Sequence, residues 1–146
     1  MIRSMSNQRN YQKELDAFLS DCRSYDRAPR LMLHACCAPC SSYVLEYLSE
    51  YMDITVFFYN PNITDEKEYR KRVAEEKRLI AAMPLSRPVS FLEGAYEPDR
   101  FLQAVCGLED EPEGGARCEV CFRLRLEETA RAAKAHGMDY FTTSLT

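Results

Sequence analysis

The chain has 146 residues, 19 Lys and Arg against 23 Asp and Glu, a formal net charge of −4 and a hydrophobic fraction of 46%. These figures fit one ordinary soluble domain that can bury a core without disulfide staples. They exclude a sequence-blind nucleic-acid binder, which needs a basic field, but they leave room for a local basic patch.

No apolar run approaches bilayer length, so no contact with a membrane is expected. The opening, MIRSMSNQRN, is polar with no apolar stretch behind it. It reads as no secretory signal, and a cytoplasmic location is the default expectation.

Residues 1–29 form a polar N-terminal extension. Leu15, Phe18 and Leu19 recur there at helical spacing and predict a peripheral helix near 9–23, before Pro29 punctuates the chain. Residues 30–146 read as one α/β domain. Leu31 to Ala35 (LMLHA) is a short apolar run, a buried strand. Pro39 is a favoured first helical residue, and Tyr43, Val44, Tyr47, Leu48 and Tyr51 keep a helical stripe behind it. Ile54 to Tyr59 (ITVFFY) is β-branched and aromatic, a second strand, broken by Asn60-Pro61-Asn62.

Thr64 or Asp65 caps a long helix to about Met83, and Asp65 with Glu68 has capping-box spacing. Val89 to Leu92 predicts a third strand and Pro98 to Leu108 another helix. Glu109–Ala116 is acidic, contains two glycines and reads as a loop. Cys118 opens a helix to about His136, with Gly137 where a left-handed cap belongs. Asp139 to Ser144 predicts a fourth strand. The chain then stops at a strand mouth, so the natural protein is expected to continue past Thr146.

This alternation predicts a parallel sheet with helices on both faces and right-handed crossovers. Ligands in such folds bind outside the carboxyl ends of the strands. HACCAPC, YNPN and TTSLT all fall at such ends.

Seven cysteines are many for a reducing compartment, where they point to metal or redox chemistry rather than disulfides. Five fall in two clusters: Cys36, Cys37 and Cys40 across a strand-to-helix turn, and Cys118 and Cys121 at a helix start. A CxxC at a helix N-terminus aims two sulfurs at one atom and favours the thiolate. Four thiolates suit iron or zinc. A fifth implies a second metal site or a thiol kept for chemistry. Cys22 and Cys106 stand alone and read as small buried hydrophobes.

Around these clusters, Tyr59, Asn60 and Asn62 could donate a proton or bind a base or sugar, or could form only a turn before a capped helix. Thr142, Thr143 and Ser144 stand at the same rim or are ordinary strand-end residues. Arg117, Arg123 and Arg125 flank the second cluster and suit phosphate, although Arg125 with Glu128 has the spacing of a surface pair. The basic face of the long helix, Lys67 to Arg78, is diluted by glutamates and reads as solvated. His34 reads as a satisfied core residue two positions before Cys36, and His136 as a helix-end residue.

HACCAPC, FFYNPNI, RCEVCFRLRL and TTSLT, in that order from Leu31 to Thr146, together resemble the cobalamin-independent epoxyqueuosine reductases (QueH-type). The resemblance implies a nucleotide α-hydrolase-like, Rossmann-like α/β fold. It also implies a [4Fe–4S] cluster beside a second iron or other divalent metal. The implied activity is reduction of epoxyqueuosine to queuosine at the wobble position of tRNA, with electrons from an unidentified donor. Carried across, Cys36, Cys37, Cys118 and Cys121 are metal ligands. Cys40 stands where some members carry a carboxylate and becomes the candidate second-metal ligand. Cys40, Tyr59 and Asn60 are then the candidate catalytic residues, and Asn62, Arg117, Arg123, Thr143 and Ser144 the candidate substrate-binding ones. The family continues past TTSLT into a stretch with serine, proline and lysine.

Two other classes stay open: a metal-free dithiol oxidoreductase using Cys37 and Cys40, and a zinc-stabilised binding module. A sulfur-transfer enzyme would want a glycine-rich phosphate loop after the first strand, and HACCAPC offers none.

Overall fold

A computed structural model describes residues 10–144. The polar opening, residues 1–9, and the last two residues of the TTSLT motif, Leu145 and Thr146, lie outside the described residues. The elements run α1 (Tyr11–Cys22), β1 (Arg30–His34), α2 (Ala38–Leu48), β2 (Asp53–Phe58), α3 (Glu66–Ala82), β3 (Ser90–Glu93), α4 (Pro98–Ala104), α5 (Ala116–Ala135) and β4 (Tyr140–Thr143). Among the described residues no helix is long and apolar enough to cross a membrane.

The strands form one all-parallel sheet in the order β3-β2-β1-β4, a Rossmann-like arrangement. β1 lies inside the sheet and is covered on both faces, which is why it reads as a continuous run and not an alternation. Its Leu31 and Leu33 pack with Ile54 and Val56, with Leu45 and Leu48 of α2, and with Leu79 and Ile80 of α3. Its Met32 faces the other way, with Phe57, toward Leu124 and Ala133 of α5. The chain steps from β1 to β2 to β3 in one direction. It then crosses back through α4 and α5 to put β4 on the far side of β1. Strand order therefore reverses beside β1, the place where such folds open a crevice.

Gly137 ends α5 at φ +67°, a conformation a Cβ disfavours. The turn sets the register of β4: Asp139 N donates to Arg30 O at 2.9 Å, and Arg30 N donates to Asp139 Oδ2 at 2.8 Å.

Several boundaries differ from the sequence reading. α1, expected to be peripheral, buries Leu19 and Cys22 in the core. α2 begins at Ala38, so Pro39 is its second residue and Cys37 its N-cap. It stops at Leu48, whose carbonyl accepts from the amides of Tyr51 and Met52. Asp65 caps α3 through the amides of Lys67 and Glu68, but Glu68 turns its carboxylate to Arg72 Nε at 2.9 Å instead of closing the capping box. α4 stops at Ala104 because the chain turns toward Gly107, at φ +87°. β3 begins at Ser90, one residue after Val89. Cys106 is exposed, not a buried hydrophobe.

α2 and α3 are joined by one buried polar contact that local spacing does not reveal. Ser41 Oγ donates to Glu76 Oε1 at 2.6 Å, and both residues are fully buried. Glu76 Oε2 has no protein partner among the described residues. Burial raises the Glu76 pKa above its ordinary value, against the opposing pull of the Ser41 bond. The folded chain thus keeps the Glu76 proton at pH values where the unfolded chain has released it. This contribution to stability is complete below the ordinary carboxylate range and falls as pH rises through the raised value. Glu76→Gln removes the titration, so its stability relative to wild type should rise from pH 4 to pH 8 in urea melts. Ser41→Ala strips the carboxyl of its partner and should cost about 1–3 kcal/mol.

Candidate metal centre

The site is built on the carboxyl end of β1. His34 is fully buried. Its Nε2 lies 2.9 Å from Tyr59 O, a carbonyl that can only accept, so Nε2 carries the proton. Nδ1 then accepts from the Thr143 hydroxyl at 3.0 Å. Burial pulls the His34 pKa down to about 4, and the Arg125 charge acts in the same direction, so the ring is neutral at neutral pH. The next residue continues the ladder, with Ala35 N donating to Phe57 O at 3.1 Å. Asn60 Nδ2 donates to Ala35 O at 2.9 Å. Ser144 N donates to His34 O at 2.9 Å. The backbone entering the cysteine turn is thus fixed from both neighbouring strands.

Cys36 follows directly. Cys37 is the extended N-cap of α2 and spends no side-chain bond on capping, so its sulfur is available to its neighbours. The Sγ atoms of Cys36, Cys37 and Cys40 all lie within 4.8 Å of one another. Cys36 to Cys37 is 3.9 Å and Cys37 to Cys40 is 2.9 Å. Cys36 and Cys37 are half-buried and Cys40 is exposed. Burial, reinforced by Cys37 and Cys40, pushes the Cys36 thiol up to about 12. The Cys37 hydrogen bond, then burial, raises Cys40. Three sulfurs this close resist becoming thiolates unless a cation shares the charge, and soft thiolate sets select iron or zinc. The donor chemistry therefore fits a bound metal.

Cys118 and Cys121 lie in the first two turns of α5. Gly114, at φ +85°, donates its amide to Cys118 Sγ at 3.3 Å. Cys121 is buried against Phe101 of α4 and Val105, the C-cap of that helix. Burial raises its thiol, and Arg125 and Arg117 oppose that rise. Both cysteines line a cavity of about 570 Å³ with Asn62, Arg117 and Arg125. They are not part of the 4.8 Å sulfur group.

The remaining sequence candidates separate clearly. Asn60 is buried, and its amide is committed to Ala35. Tyr59 OH donates to Glu97 Oε1 at 3.0 Å and accepts from Arg100 Nη1 at 3.2 Å, and burial pushes it up to about 12. Arg117 lies over the Phe101 ring, 5.7 Å from its centroid. Arg123 lines a different surface hollow, with Glu119 and Glu127. Arg125 is not the surface partner of Glu128: it is buried, while Glu128 pairs with Arg100 and Arg131. Buried Asn60 Oδ1, Asn62 Oδ1 and Ser144 Oγ have no protein partner among the described residues. Such orphans beside a site mark polar groups placed for something other than the fold. Sequence reading missed the Tyr59–Glu97–Arg100–Glu128 network. Its only local signal is the Glu97/Arg100 spacing, because Glu128 arrives from a separate helix.

The fold and the site define a Rossmann-like α/β protein with a three-thiol group that can hold a metal at its topological switch point. A sequence model of the family described as Epoxyqueuosine reductase QueH matches residues 31–146. The chain belongs to that family. Proteins named Epoxyqueuosine reductase QueH resemble it in Staphylococcus epidermidis (40% identical over 100% of this chain and 63% of the relative) and Streptococcus pyogenes (46% over 81% and 47%). Another is found in Helicobacter pylori (37% over 79% and 31%). The chain thus spans less than two thirds of the length of these relatives.

Asn60→Ala leaves the buried Ala35 carbonyl without its donor and should cost about 1–3 kcal/mol in urea melts. Asn60→Asp places an acceptor against that carbonyl and should cost at least as much. Wild-type stability in both variants would show that Asn60 does not hold the turn.

Proposed function

We propose that this chain carries the metal-holding part of an epoxyqueuosine reductase, acting on the wobble position of tRNA in the cytoplasm. The observation that carries this reading is the convergence of Cys36, Cys37 and Cys40 at the switch point of a chain that belongs to this family. The metal-free dithiol and zinc-module readings account for the Cys37/Cys40 contact or for metal binding alone. Neither accounts for the full ordered set of motifs matched from residue 31 to residue 146.

In this proposal Cys36, Cys37, Cys118 and Cys121 hold a [4Fe–4S] cluster, and Cys40, the exposed sulfur, faces a second iron. When bound, the centre supplies electrons singly and a Lewis-acid site for an oxygen atom. Conversion of an epoxide to an alkene consumes two electrons and two protons and releases water, so the chain must also bind an electron donor.

The protein's own residues do the rest. Neutral His34 and Asn60 fix the turn that presents the thiols. Asn62 and Ser144, whose side-chain oxygens lack protein partners among the described residues, take hydrogen bonds from substrate or water, with Thr143 beside them on His34. Arg117 lines the α5 cavity and meets phosphate. Arg123 lines a second hollow that also reaches Cys118, and contacts tRNA there. Tyr59, held by Glu97 and Arg100, fixes α4 and α5 around the site.

Anaerobic reconstitution followed by iron and sulfide analysis tests the reading. Wild type should hold about four sulfides per chain, with at least as many irons. Cys36→Ser and Cys118→Ser should each lose most of that content. Full zinc occupancy with epoxide reduction retained would sink the iron–sulfur reading.

A further inference from the structure

Among the described residues Arg125 is a cation without an ion-pair partner. It is 9% exposed, on the face of α5 that the core buries. Its hydrogen bond runs from Nε to Cys121 O, at 3.4 Å on its own helix. Among the described residues no carboxylate lies within 4.0 Å of it, and every other ion pair uses another base. Glu128 is committed to Arg100 and Arg131, and Glu111 and Glu113, which line the same cavity as Arg125, form no ion pair with it among the described residues. Stripping water from an unpaired guanidinium costs several kcal/mol, and proteins avoid this cost unless an anion balances the charge.

The surroundings say which anion. Arg125 lines the same cavity as Cys118, Cys121 and Asn62. Its Nε–H donates to the backbone of Cys121 itself, one turn back on α5, so the guanidinium and the second cysteine pair share one cavity wall. A metal held by several thiolates is an anionic body, and its potential depends on nearby charge, hydrogen bonds and exposure.

We propose that Arg125 is the charge-compensating residue of the metal–thiolate centre, a positioning residue that sets its reduction potential. The inference rests on the iron–sulfur reading above. Arg125 makes reduction easier because an added electron meets the fixed positive charge of a buried guanidinium. Lysine keeps that charge; methionine keeps the bulk and removes it.

The test compares wild type with Arg125→Met and Arg125→Lys in the anaerobically reconstituted chain, using redox titration followed by electron paramagnetic resonance. At the wild-type midpoint, the reduced-to-oxidised ratio in Arg125→Met should fall about tenfold, a shift of about 59 mV for one electron. Arg125→Lys should recover most of the shift. The metal-free proteins give a second readout. Replacing an unpaired buried charge with an apolar side chain should leave metal-free Arg125→Met at least as heat-stable as wild type. A loaded Arg125→Met with unchanged potential overturns the inference alone, even if its RNA affinity falls, since the cation then serves phosphate. So does a metal-free Arg125→Met that melts earlier or does not fold, since the charge is then structural. A wild-type chain that takes up no iron and sulfide overturns the underlying reading and the inference with it.

Discussion

His34 ties β1 to both of its neighbours. One ring nitrogen donates to the carbonyl of Tyr59 beyond β2, and the other accepts from the hydroxyl of Thr143 on β4. The Tyr59 carbonyl can only accept, which puts a proton on Nε2, and burial keeps the ring neutral. Asn60 adds a bond to the carbonyl of Ala35, and the Ser144 amide adds one to the carbonyl of His34. Three adjacent strand ends are thereby fixed relative to one another. The cysteine turn leaves from that fixed point, so the spacing of its three sulfurs follows from the core and not from a mobile loop.

Much of this was legible in the chain itself. The four strands, the helix after each crossover and the parallel sheet followed from apolar runs alternating with helical periodicity. Gly137 announced its own left-handed turn. Where the reading slipped, tertiary contacts outweighed local signals. Glu68 has the spacing to close a capping box, but Arg72 offers it a charged partner one turn along. Arg125 and Glu128 have the spacing of a surface pair, but Leu124 and Cys121 turn that stretch of α5 inward and Arg100 takes the glutamate. Ser41 and Glu76 meet across two helices, a contact between residues 35 apart that no sequence period encodes.

The site divides in the same way. The three cysteines of HACCAPC were readable because a strand-to-helix turn brings near neighbours together. Cys118 and Cys121 were readable as a pair, yet the structure keeps them on their own cavity, outside the sulfur group of the turn. Tyr59 and Asn60 drew attention as chemical residues. They turn out to be held fast, one by Glu97 and Arg100 and the other by the backbone it pins.

The central claim is that closely spaced thiols at the switch point hold iron and sulfide. The visible and electron paramagnetic spectrum of the anaerobically purified protein tests it most directly. A chain that holds iron and sulfide will be brown, with broad visible absorption, and will give a paramagnetic signal on one-electron reduction. Both should disappear in Cys36→Ser. A colourless, spectroscopically silent wild type that still reduces the epoxide would contradict it.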